Sequence, residues 1–242
     1  MRFEIITIFP NFFTGFLNES LIKKAQESGL VEIKIHNLRD FTQDKHKTVD
    51  DTPFGGGGGM VMMVEPLHRA VSSVWDKKSK IILTSADGEK FDQNKAKELL
   101  KEESVYIICG HYTGVDERIK ELYPIEEISI GDYVLTGGEI PAMVIIDAVS
   151  RLIPGVLGNF ESAETDSFYN GILGFPQYTK PQEYKELKVP EILLSGHHEN
   201  VRLWRKKEAL KKTWKKRKEL LYYKVLSDEE KKLLEQIKEE NK

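Results

Sequence analysis

Residues 104–119, SVYIICGHYTGVDERI, and residues 127–142, EISIGDYVLTGGEIPA, share one construction: a strand-like run that ends in a glycine-bearing turn. Val105–Cys109 is apolar without interruption, as suits a strand buried on both faces of a parallel sheet. Turns that follow such strands are where ligand-binding loops of parallel sheets gather. Working outward, strand-like and helix-like segments alternate. FEIITIF (3–9) precedes a helix around Glu19–Ser28, VEIKIH (31–36) precedes a helix over Glu65–Trp75, and KIILTS (80–85) precedes a helix around Asn94–Lys101. The apolar residues of Ile140–Ile153 suit a buried helix. This alternation predicts an α/β domain with a largely parallel sheet.

Around Pro154–Tyr178 the periodicity disappears into PGVLGNFESAETDSFYNGILGFPQY, dominated by glycine, proline and small polar residues. We expect a first domain over 1–158, a linker over 159–175 and a small, helical, basic domain over 176–242. From Val189 onward the pattern is helical: Ser195 is expected to cap a helix bearing Val201, Leu203, Trp204, Leu210 and Trp214. Ser227 and Glu230 form a capping-box pattern for the last helix. The tail KKLLEQIKEENK (231–242) is expected to be an exposed helix end.

With 242 residues, 40% hydrophobic and 31% charged, and no apolar run near bilayer length, the chain reads as a folded soluble protein. The beginning, MRFEIITIFPNFF, lacks the basic region, apolar core and cleavage site of a signal peptide, so a cytoplasmic location is expected. Cys109 is the one cysteine, which excludes an internal disulfide and a multi-cysteine zinc site, and it reads as a buried core thiol. The net charge of −3 carries no overall signature of nucleic-acid binding. A local one exists: between Arg202 and Lys218 stand ten cations (Arg202, Arg205, Lys206, Lys207, Lys211, Lys212, Lys215, Lys216, Arg217, Lys218) against the single acid Glu208. A solvated helix face and an RNA contact both fit this run.

Gly55–Gly59 is an uninterrupted glycine run, a backbone that approaches ligands closely and takes positive φ cheaply. No Gly-Lys-Ser/Thr follows it, which argues against a phosphate loop of the nucleotide-hydrolysing kind. Three glycine-bearing loops converging at strand ends predict a pocket. Rich in backbone amides and carbonyls, and with no dedicated anion-binding lysine, it suits an uncharged or cationic adenosyl ligand.

The segments DKHKTVDDTPFGGGGGMVM (44–62), CGHYTGVDERI (109–119), EISIGDYVLTGGEIPAMVIIDAVSRLIPGVLGN (127–159), SAETDSF (162–168) and LLSGHHENVRLWR (193–205) resemble, in order and spacing, the successive signatures of bacterial tRNA (guanine-N1)-methyltransferases. The resemblance covers nearly the whole chain. It implies a SPOUT-type α/β fold with a deep C-terminal trefoil knot, which no pattern rule would predict. It also implies a homodimer with active sites at the interface, S-adenosylmethionine as methyl donor, and tRNA with guanine at position 37 as substrate.

Carried over position by position, Asp166 matches the family's general base and Arg151 the arginine that stabilises guanine O6. An exposed aspartate is a weak base, so Asp166 is expected to be partly buried at an interface. The donor-binding positions are Leu83, Thr84, Gly110, Tyr112, Gly114, Ser129, Ile130, Gly131, Tyr133, Leu135, Gly137, Gly138 and Pro141. His46, Asp50 and Gly59 match positions near the target base, while Ser195, His197 and His198 would face RNA together with the basic run. A zinc reading of the paired histidines lacks a third ligand, and no metal site is expected. Three positions depart from the family. Thr113 stands where an acidic residue linked to magnesium dependence is common, which leaves the Mg2+ requirement open. Gly58 replaces a proline in the glycine run, and Ala86 replaces a proline in the TSADG turn. A silent RNA-binding protein on the same fold is the alternative of a different class. Retention of Arg151 and Asp166 argues against it, while methylation of another nucleotide stays open.

Overall fold

In a computed structural model of the chain, which describes residues 1–158 and 161–241, five strands build the central sheet of the first unit: β1 (Arg2–Thr7), β2 (Glu32–Asn37), β3 (Lys80–Lys90), β4 (Ser104–Cys109) and β5 (Ile125–Ser129). Their order across the sheet is β2-β1-β4-β3-β5, and every neighbouring pair is parallel. All six residues of β4 are buried, the consequence of an apolar run placed mid-sheet with both faces covered. Edge strand β2 keeps Glu32 and Lys34 exposed, charges that discourage pairing with a further strand. The chain is thus an α/β protein with a parallel central sheet.

The helices follow the apolar spacing closely. Val64–Val74 buries Pro66, Leu67, Ala70 and Val71, and Asp92 caps Gln93–Leu99 by accepting hydrogen bonds from the amides of Asn94 and Lys95. Arg118–Leu122 is a short helix that periodicity did not reveal. The apolar segment expected as a helix to Ile153 forms one over Glu139–Ser150 and then tightens into a turn, since Pro154 disfavours helical backbone in the residue before it. This helix buries Ala142, Ile145, Ile146 and Val149, while Ile140 and Val144 on its outward face are each 41% exposed.

The chain divides into two compact units, Met1–Gly158 and Asn159–Lys242. In the second unit a helix over His198–Lys216 and another over Asp228–Glu240 pack together, burying Ala209, Leu210, Leu234 and Ile237. Ser227 and Glu230 form the expected capping box. The tail is not simply an exposed helix end: Ile237 is 0% exposed, and such burial is worth about 1.5–3 kcal/mol. Ser195 does not cap the long helix either. That helix begins one turn later with His197 at the N-cap position, and the Ser195 hydroxyl donates to the Ile192 carbonyl at 2.8 Å. The 159–175 stretch, whose first two residues lie outside the described ones, carries structure of its own. Ser167 Oγ accepts from the Gly174 amide at 2.9 Å, and buried Thr213 Oγ1 accepts from the Leu173 amide at 3.0 Å.

Candidate active site

A pocket of about 380 Å3 opens at the carboxyl ends of β4 and β5, beside the middle of β3. Its walls are Leu83–Asp87 from within β3 and the turns that follow β4 and β5, Gly110–Val115 and the segment from Ser129 to Gly138, with Pro141 from the next helix. All thirteen residues proposed from the sequence as donor-binding line this one cavity.

The glycines shape it. A Cβ on Gly110 would lie 2.9 Å from the Thr84 carbonyl oxygen, and one on Gly138 would lie 2.7 Å from the Gly110 amide and 2.8 Å from Cys109 Cα. The loops after β4 and β5 therefore meet backbone to backbone, sealed by a 2.8 Å hydrogen bond from the Gly138 amide to the Gly110 carbonyl. On β3 the pairing register shifts between Thr84 and Glu89, releasing Ser85, Ala86 and Asp87 from the ladder to form a wall. The lining charges are Asp87, Glu117 and Glu127 against Lys120, and Lys120 is itself bridged to Glu117 at 2.6 Å and Glu127 at 3.0 Å.

Behind the pocket sits a carboxylate that sequence reading missed. Glu139, 2% exposed, accepts from the Thr7 hydroxyl at 2.5 Å and pairs with His111 Nε2 at 2.6 Å. Thr7 Oγ1 accepts in turn from the Phe9 amide at 2.9 Å, and the Phe9 ring meets His111 edge-on at 5.0 Å. A buried acid requires such partners. The available signal was a glutamate opening an otherwise apolar helix, EIPAMVII. Burial and the charge of Glu139 push the Cys109 thiol well above its ordinary pKa, so it stays an inert core group.

Tyr112 stands at φ +61°, left-handed for a residue with a side chain. Burial, and after it the neighbouring Asp50 carboxylate, raises its phenol pKa, while the charge of Arg39, another residue missed from sequence, works against that rise. Asp50, proposed for the target base, and Tyr112, proposed for the donor, are thereby brought together. Thr113 donates from both its amide and its hydroxyl to the Met60 carbonyl, at 3.0 and 2.6 Å. Its γ-methyl would lie 2.6 Å from a Cβ on Gly59. The run Gly55–Gly59 is exposed but anchored just after its last residue, at Met60, by the loop after β4.

The other proposed residues lie elsewhere. Arg151, at the end of the Glu139–Ser150 helix, borders a shallow depression with Phe16, Ile140, Met143 and Val144 and does not line the pocket. Asp166 is an exposed residue of the second unit. His46 is exposed on a turn that the Asp44 carboxylate holds by accepting from the amides of His46 and Thr48. His197 and His198 are exposed at the start of the long helix. The basic run on that helix is less bare than its sequence suggests: Arg202, Lys206, Lys207, Lys211 and Arg217 each pair with a carboxylate, chiefly from the last helix. Among the described residues, no group of three or more His, Cys, Asp and Glu side chains comes together to hold a metal ion, and no helix is long and apolar enough to cross a membrane.

A family model described as tRNA (Guanine-1)-methyltransferase TrmD matches residues 1–223. A tRNA (guanine-N(1)-)-methyltransferase of Dictyoglomus turgidum is 58% identical over 240 residues, covering 99% of this chain and 98% of the relative. Proteins of the same name from Desulforamulus reducens and Brevibacillus brevis are 55% and 53% identical, covering 97% and 100% of this chain and 94% and 100% of their own lengths. Such kinship runs through the strand-end pocket and both units alike, and by it the chain belongs to the tRNA (guanine-N1)-methyltransferase family.

Proposed function

We propose that the protein transfers a methyl group from S-adenosylmethionine to N1 of guanine at position 37 of tRNA, next to the anticodon. The observation that carries this reading is the strand-end pocket. Its walls are backbone brought close by Gly110, Gly137 and Gly138, and its lining has three carboxylates against one already paired ammonium. Those features fit a cationic adenosyl donor, which supplies an electrophilic methyl group on a sulfonium.

The chain's own side chains have three tasks: to take the N1 proton, to balance charge on O6, and to align the base. Asp166 accepts the proton, and the Arg151 fork stabilises the negative charge that develops on O6. Asp166 becomes an effective base when RNA and a second copy of the chain exclude water around it, since burial raises a carboxylate pKa. A homodimer is supported by the Glu139–Ser150 helix, apolar on its outward face as well as its buried one, with Arg151 at the end of that face. The active site of each copy is then completed by the other. The chain crosses itself in a trefoil knot behind this pocket, with Gly138 packed closely against Thr84 and Gly110 beside it. His46, Asp50 and Gly59 flank the target base, and Ser195, His197 and His198 meet RNA at the start of the long helix, where backbone amides favour anions.

The test is mass-spectrometric analysis of unmodified tRNA transcripts bearing guanine 37, incubated with protein and S-adenosylmethionine. Expected is 1-methylguanosine at position 37, lost with Asp166→Asn. A methyl group on another nucleotide, or none despite binding of both ligands, overturns the assignment.

A further inference from the structure

In the second unit a cavity of about 340 Å3 lies between segment 175–182 and the side of the His198–Lys216 helix, and none of the chemistry above uses it. Its wall is aromatic. The rings of Tyr178 and Trp204 lie 6.4 Å apart, inclined by 52°, and the Arg205 guanidinium lies 5.0 Å from the centre of the Phe175 ring. Rings that served only as core would be covered, yet Tyr178 is 49% exposed. Lys180 and Arg205 line the cavity, no carboxylate does, and the amides of Gln177 and Gln182 stand in its wall. Arg202, Lys206 and Lys207 on the same helix are tied to carboxylates, whereas among the described residues no carboxylate pairs with Arg205.

An exposed ring beside a half-buried one, a guanidinium over a second half-buried ring, side-chain amides and cations without anions form the set of groups that holds an unstacked nucleobase and its phosphate. We propose that this cavity binds one unpaired nucleotide of the RNA substrate. The base stacks on Tyr178 and meets Trp204 by its edge, Gln177 and Gln182 contact its polar edge, and Arg205 and Lys180 take the phosphate. The proposal rests on the RNA-substrate reading above and adds to it a contact remote from the reacting atoms.

Tyr178→Ala is tested by steady-state methylation with tRNA varied at saturating S-adenosylmethionine, repeated over a range of salt. Loss of a stacked base predicts a KM for tRNA raised by about fivefold or more, with kcat and donor affinity unchanged. Tyr178→Phe, which keeps the ring, restores the wild-type KM. A stacking contact leaves the slope of log KM against log salt unchanged, whereas Lys215→Ala, removing a phosphate contact, flattens it. Photo-cross-linking of 4-thiouridine-substituted tRNA to the wild-type chain gives a second readout that needs no variant, with adducts expected on Tyr178 or Trp204. A wild-type KM in Tyr178→Ala together with adducts elsewhere overturns the proposal, as does a change of sedimentation in that variant, which assigns the cavity to a protein segment. If the wild type methylates no tRNA, the underlying reading has failed instead, and the same assay shows which.

Discussion

The side chains of Glu139 and His111 are joined at 2.6 Å across 28 residues of sequence, and the other oxygen of the same carboxylate holds Thr7 at the end of β1. One buried acid thereby ties β1, the loop after β4 and the helix after β5 behind a single pocket wall. Glu139→Ala leaves two buried polar groups without their partner, a loss of about 1–3 kcal/mol. We expect donor affinity, read by calorimetry on folded protein, to fall about tenfold or more, with Glu139→Gln intermediate. Unchanged affinity in a chain that has only become less stable would reduce the network to a packing feature.

Asp166→Asn should lower turnover by about 10²–10⁴-fold, the usual contribution of a positioned base. Donor binding should persist, because the strand-end pocket is lined by residues of the first unit. Loss of donor binding in this variant would remove Asp166 from the role of base.

Gly138→Ala places a methyl group against Thr84 Oγ1, the Gly110 amide and Cys109 Cα. Backbone on two sides has no room to give, so overpacking of about 1–3 kcal/mol is expected in thermal or urea unfolding, with loss of donor binding. Gly58→Ala, at a site with nothing within 4 Å of the added carbon, serves as the control and should bind donor like the wild type.

The α/β class was legible because β4 is an apolar run ended by a glycine turn and strand-like runs alternate with segments of helical spacing. Strand order was not, since periodicity says which face is buried but not which neighbour lies beside it. The donor positions came from the resemblance, and the structure gathers them by loops whose glycines are explained at Gly110 and Gly138 through close backbone contacts with Thr84 and with Gly110, 26 and 28 residues away. Arg39 and Glu139 were invisible because their partners, Tyr112 and His111, lie 73 and 28 residues away. Ser195 was misread for a different reason: a serine near a helix start suits a 3-10 turn as well as a cap.

Acid should loosen the second unit through Glu229. Arg202, and after it Lys206, depresses its pKa from the ordinary 4.5 to about 2. A depressed carboxylate contributes stability above its unfolded pKa and loses it as pH falls through the folded one. The difference in melting temperature between wild type and Glu229→Gln should be fully developed above about pH 5 and vanish toward pH 2. A difference constant across that window would mean the bridge adds nothing electrostatic.

Those same carboxylates decide how the long helix meets a polyanion. Arg202, Lys206, Lys207, Lys211 and Arg217 already carry tethered counter-ions, so RNA recruits them only by displacing part of the protein. Fewer solution ions are then released on binding than ten cations would imply. Random RNA finds a helix about half discharged, and an RNA that fits gains attraction only where its shape pries the last helix's acids away.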